Sequence, residues 1–153
     1  MNGPVDWREH GVRIVHADQL DANTPQTEGM HRAAAITHSA TGATQMWAGT
    51  VTIEPDAKTG PHHHGELESL IYVLSGRARM RWGEHLEYLA EADRGDFIFV
   101  PPWVPHQEMN AQADEQLVCL VVRSGQDPVV INLDIPAAEQ PRAIWFDAGH
   151  PRP

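Results

Sequence analysis

The chain has 153 residues and a mass of 17.0 kDa, which a single domain accounts for. Its net charge of −10 sets it against polyanions, so nucleic-acid binding and attachment to anionic membrane surfaces are not expected. The single cysteine, Cys119, excludes an intrachain disulfide framework, and no apolar run approaches the roughly 18 residues of a membrane helix. The first ten residues are polar and acidic with no apolar core of a signal peptide, so the expected compartment is the cytoplasm.

Residues 1–30 read as an N-terminal arm with one short apolar pulse at Val12, Ile14 and Val15. From there to residue 135, short segments of β-type composition recur between turn signals. They cover 31–38, 45–54, 67–75, 77–82, 85–90, 96–100, 107–110, 116–123 and 129–133. The separators are turn formers such as Thr41-Gly42, Pro55-Asp56, Ser75-Gly76, Arg94-Gly95 and Pro101-Pro102. Nine short strands and little helix make an all-β barrel or sandwich, followed by a tail over 136–153 with a single helical turn near 137–140.

Two kinds of strand are distinguishable. In 45–54, Trp47, Gly49, Val51 and Ile53 share one side and form the expected core face. The runs 70–74 and 117–122 are apolar at every position, which predicts cover on both faces, from the N-terminal arm or from a second subunit. A homodimer is the expected assembly.

The strongest chemical signal is Pro61-His62-His63-His64-Gly65-Glu66-Leu67-Glu68-Ser69. On an extended chain, residues two apart point to the same side, so His62 and His64 reach one metal ion while His63 points away. On a helix the same pair would diverge by roughly 200°. A third imidazole must come from elsewhere, and His106, after the strand 97–100, is the best placed. Taken alone, the triple histidine describes a solvated loop equally well.

With His106 in frame, the chain resembles the cupin superfamily, small β-barrels whose two short motifs place metal ligands inside the barrel. The second motif, G-x5-P-x-G-x2-H-x3-N, is met by Gly95, Pro101, His106 and Asn110, with Trp103 in place of the inner glycine. The first, G-x5-H-x-H-x3–4-E-x6-G, is met by His62, His64 and Gly76, while its opening glycine falls on Asp56. Its acidic ligand is out of register. Counting back from Gly76 gives Ser69, and counting on from His64 gives Glu68. A one-residue step moves a side chain to the other face of a strand. Either a β-bulge turns Glu68 inward as a fourth ligand, or Ser69 fills the slot and three histidines form the centre.

The resemblance covers about residues 45–123 and implies a jelly-roll barrel holding a divalent transition metal, Fe(II) first, with Mn, Ni, Cu or Zn also suited to imidazole. It implies an enzyme acting on a small organic molecule with two chelating oxygens, most often a dioxygenase. A non-redox isomerase, lyase or cyclase and a non-catalytic binding barrel are the alternatives. Trp47, Val51, Ile71, Val73 and Phe99 are the expected cavity lining, with Trp103 at the mouth. Glu108 shares strand parity with His106 and is the candidate base. Cys119, in an apolar strand, is expected to be a buried inert thiol.

Overall fold

Alternating burial along short strands builds two sheets that face each other. The computed structural model describes residues 3–127 and 129–144. Its strands are β1 (His31–Ile36), β2 (Trp47–Ile53), β3 (His62–His63), β4 (Ser69–Ser75), β5 (Arg77–Trp82) and β6 (Tyr88–Asp93). They continue as β7 (Phe97–Val100), β8 (His106–Asn110), β9 (Leu117–Arg123), β10 (Ile131–Asn132) and β11 (Arg142–Ala143). One sheet runs β1-β2-β9-β4-β7 and the other β10-β3-β8-β5-β6-β11. This is the all-β jelly-roll architecture expected from the sequence. Each of the nine predicted segments overlaps a strand, β3 is the extended stretch that the histidine spacing calls for, and β11 is an addition that pairs in parallel with β6.

Trp47, Val51 and Ile53 of β2 are buried as their alternation predicts, and they join Ile71, Val73, Leu117, Cys119 and Val121 in the core between the sheets. β9 is the central strand, paired with β2 on one side and β4 on the other. The turn from β4 into β5 needs a glycine. Gly76 has φ +84°, and a Cβ there would meet the Gln116 carbonyl oxygen at 2.7 Å.

Two expectations are corrected, the arm as the cover of the apolar strands and the helical turn near 137–140. The uniformly apolar strands alternate in burial: Ile71 and Val73 are inside, while Leu70 and Leu74 face outward and are exposed. The N-terminal arm does not cover that face, since its own Val5, Trp7, Val12 and Ile14 are exposed. Among the described residues, the arm's one strand-like contact is the bridge from Asp21 to Ala34 of β1. The helical turn expected near 137–140 is absent, because the Ala138 and Arg142 N–H groups donate to the His85 and Glu87 carbonyls and tie the segment alongside the turn before β6. The only helical turns among the described residues are Trp7–His10, Ala17–Gln19 and His38–Thr41. Residues 145–153 of the expected tail lie outside the described residues. No helix among the described residues is long and apolar enough to cross a membrane.

Candidate metal centre

β3 pairs with β8 so that His62 lies directly opposite His106, and the two rings come within 4.4 Å. His64, one residue past the end of β3, completes the set, its ring 5.0 Å from His62 and 5.2 Å from His106. All three are buried, and their ligand nitrogens lie within 4.8 Å of one another.

Each imidazole is oriented by the backbone. The Nδ1 atoms of His62, His64 and His106 lie 2.8, 2.7 and 2.9 Å from the carbonyl oxygens of Gly60, Val129 and Val104. A carbonyl can only accept, so each Nδ1 carries a proton and each Nε2 is the atom left to face the centre. The Nε2 atoms of His62 and His106 are buried with no hydrogen-bond partner, an arrangement that is costly unless something binds there. Neutral imidazoles with Nδ1 held by carbonyls and Nε2 converging are the donor set a transition metal takes. The residues fit the ion.

Burial holds His62 down to about 4, against partial compensation from Glu108, and burial with the nearby Arg123 charge holds His64 down to about 2. Both stay neutral well below the ordinary imidazole range. In metal-free protein the unfolded chain therefore takes up protons below about pH 6.5 that the folded chain refuses until about pH 4. Folding stability is expected to fall across that window by on the order of a few kcal/mol. Urea midpoints measured from pH 7 to pH 4.5, beside His62→Gln, check this, and a wild-type profile no steeper than the variant's would contradict it.

The acidic slot is settled by strand parity. Ser69 opens β4 facing inward, buried, with its Oγ unpartnered, whereas Glu68 is exposed and its N–H donates to the Ser124 Oγ. The irregularity in β4 falls between Val73 and Ser75, too far along to rotate Glu68 inward. Glu68 is therefore not near the centre. The buried carboxylate that is near it belongs to Glu108, whose Oε2 lies 3.7 Å from the His62 Nε2. Thr59 anchors Glu108 by accepting its N–H at Oγ1 and donating its own N–H to the Glu108 carbonyl. Burial opposes ionisation of Glu108, but electrostatic interaction with His62 and His106, and after them with Arg32 and Arg123, outweighs it and holds the carboxyl below its ordinary value.

Beside the histidines is a small cavity of about 10 Å³ lined by Met30, Arg32, Val51, His64, Ser69, Ile71, Val100, His106, Glu108, Val121 and Arg123. A wider cleft of about 840 Å³ opens between β7 and the β5–β6 pair, and Val100 and His106 border both spaces. Of the expected lining, Val51 and Ile71 face the small cavity. Trp47 and Val73 are packed into the core instead. Phe99 pairs with outward-facing Leu70, so it is 62% exposed and borders the rim of the wide cleft rather than the interior. Trp103 is 61% exposed and rests on His63, the histidine that points away from the centre, so it does not wall the pocket. Both positions where the motifs lose a glycine keep a left-handed backbone, Asp56 at φ 59° and Trp103 at φ 67°. The turn geometry survives the substitution, at a strain cost of roughly 1–2 kcal/mol for a bulky residue.

Arg32 and Arg123 were not anticipated. Their signal was legible in part, since both stand at inward-parity positions of otherwise apolar faces. Cys119 is buried, and burial pushes its thiol up to about 12, as suits an inert core residue.

The family model described as cupin domain matches residues 49–123. Among solved structures, the polyketide cyclase RemF from Streptomyces resistomycificus is similar at 26% identity and TM-score 0.66, with 85% of this chain and 89% of that one covered. An oxalate decarboxylase is similar at 25% identity and TM-score 0.63 over 75% of this chain but only 31% of that longer one. A Klebsiella pneumoniae protein with a double-stranded β-helix domain, at 17% identity and TM-score 0.62, covers 80% of this chain and 98% of its own and shares the fold. No curated protein sequence matches the chain.

Proposed function

The chain belongs to the cupin superfamily, and from that premise we propose that it is a metal-dependent enzyme that removes a proton from a small enolisable organic molecule. The observation that carries this reading is the convergence of three carbonyl-oriented imidazoles beside a buried carboxylate, at the border of an apolar cleft. A divalent ion held by His62, His64 and His106 supplies Lewis acidity to a substrate oxygen. Glu108, whose carboxyl is held below its ordinary value, accepts the substrate proton. Trp82, Ile98 and Val104 in the cleft wall take the apolar body and exclude water from it.

Two continuations share this first step. Dioxygenation with Fe(II) is the one the superfamily resemblance leads to. Ring closure or isomerisation without redox change, with Zn equally serviceable, is favoured by the likeness to a polyketide cyclase and by a base already in place. Metal analysis of protein purified without added metal or tag, followed by turnover of diketones and phenols with and without O2, tests the proposal. Oxygen consumption matched to product supports the dioxygenase. Oxygen-independent turnover that survives Zn substitution supports the second continuation, and absence of bound metal overturns both.

We also propose a homodimer formed through the outer face of the five-stranded sheet, in the cytoplasm. Leu70, Leu74, Phe97 and Phe99 stand exposed together there, an apolar surface that a second copy of the same face would bury. Sedimentation at micromolar concentration is expected to show a dimer that Phe97→Asp weakens. A wild-type monomer would remove this proposal.

A further inference from the structure

The small cavity beside the histidines is unusual in charge. Arg32 is 2% exposed and Arg123 is 4% exposed, and both line it from the five-stranded sheet, opposite the imidazoles. Arg32 makes one side-chain hydrogen bond, from its guanidinium to the Pro25 carbonyl at 3.2 Å, and its Nε has no partner. Arg123 stacks its guanidinium 5.1 Å above the Trp47 ring, and its Nε is likewise buried without an acceptor. Neither forms an ion pair within 4 Å among the described residues, and the Ser69 Oγ between the two sheets is also unpartnered there.

Among the described residues, Glu108 is the one anion lining the cavity, against the two guanidinium cations. The enclosure is therefore positive before any metal binds, and a metal ion makes it more so. Burial and the like charge of Arg32 depress the Arg123 guanidinium to about 10, which reports the same unfavourable crowding. Buried guanidinium groups without acceptors cost several kcal/mol unless an anion meets them. The planar five-donor fork of arginine fits a carboxylate in two-point contact.

We infer that Arg32 and Arg123, with Ser69, form a subsite for the carboxylate group of the substrate, which makes the substrate class a small oxo acid. This rests on the proposed function for the use of the site, but not for the binding itself. The space of about 10 Å³ has room for roughly one water-sized group, so one oxygen of the acid head is what it seats. The rest of the molecule extends past Val100 and His106 into the wide cleft. The overall charge of −10 points away from anionic ligands, and the local pair of arginines reverses that at the one place where it matters.

The test is calorimetric titration of pyruvate, and of its uncharged methyl ester, into metal-free and zinc-loaded protein. Metal-free wild type is expected to bind pyruvate at least about tenfold more tightly than the ester, the ratio a charge-assisted hydrogen bond supports. Arg32→Gln and Arg123→Gln are each expected to erase that preference, while Arg79→Gln, on the other sheet, retains it. Equal affinity for acid and ester, no binding of either, or a preference unchanged in both arginine variants overturns the inference. Should a glutamine variant fail to fold, the acid-against-ester comparison on wild type still decides. Arg123→Met separates a binding role from a structural one: it is expected to keep the thermal midpoint of ligand-free protein while losing stabilisation by pyruvate, and a lower midpoint with stabilisation retained counts against the subsite. Failure of the metal reading would appear as absent zinc binding with the acid preference intact.

Discussion

Replacing His106 by alanine is expected to reduce metal affinity by more than about 100-fold and to abolish turnover. Loss of a supporting contact to a metal-binding histidine alone costs about 10–100-fold, and this change removes a ligand itself. The position is central in a structural sense as well, because His106 lies opposite His62 on β3 and opposite Trp82 on β5, and its Nε2 is a buried atom with no other partner. The clearest readout is thermal. At a free metal concentration 100 times the dissociation constant, binding adds about 2.7 kcal/mol of stability. In a domain of this size that raises the midpoint by about 5–10 °C. Wild type should show this rise on titration with Zn, and His106→Ala should show none. Comparing each protein with and without metal removes any effect of the substitution on the fold. An undiminished rise in the variant would take His106 out of the centre.

Glu108→Gln is expected to leave metal content unchanged and to lower turnover by about 10²–10⁴-fold, the contribution typical of a positioned base. Glutamine preserves the shape and the backbone anchorage to Thr59 while removing the acceptor of the proton. The metal assay separates this role from ligation. Turnover and metal lost together would make Glu108 a ligand, and neither lost would make it a spectator. The carboxyl is held below its ordinary value, so turnover should not decline as the pH is lowered from 7 to 5.5 through protonation of this group. A decline centred there in wild type and absent in the variant would contradict that assignment of charge.

Much of the fold was legible because its signals are local. A period of two in residues 45–54 fixes which side of β2 is core, and burial of Trp47, Val51 and Ile53 follows from it. The His-x-His spacing identifies an extended chain and a shared side, and Asn110 sits where a turn must be clamped, its amide donating to the Ile53 and Glu115 carbonyls. Other readings failed where a local signal has two outcomes. Uniformly apolar strands such as 70–74 call for cover from the arm or from a second copy of the chain, and only the tertiary placement of the arm shows that the arm is not that cover. Phe99 looked internal from composition, yet its pairing with Leu70 turns it outward.

By itself the sequence determined the all-β class, the family, and the three histidines as a set, since strand period, glycine turns and ligand spacing are all carried by neighbouring residues. Tertiary structure alone decided that Ser69 rather than Glu68 faces the centre, that Glu108, already marked by strand parity, comes 3.7 Å from His62, and that Arg32 and Arg123 meet in one cavity. These are outcomes of register and of the facing of two sheets, in which residues far apart in the chain are brought together by hydrogen bonding along β1, β2 and β9. A side chain's parity says that it points inward; what it meets there is set by the strand that the other sheet places opposite.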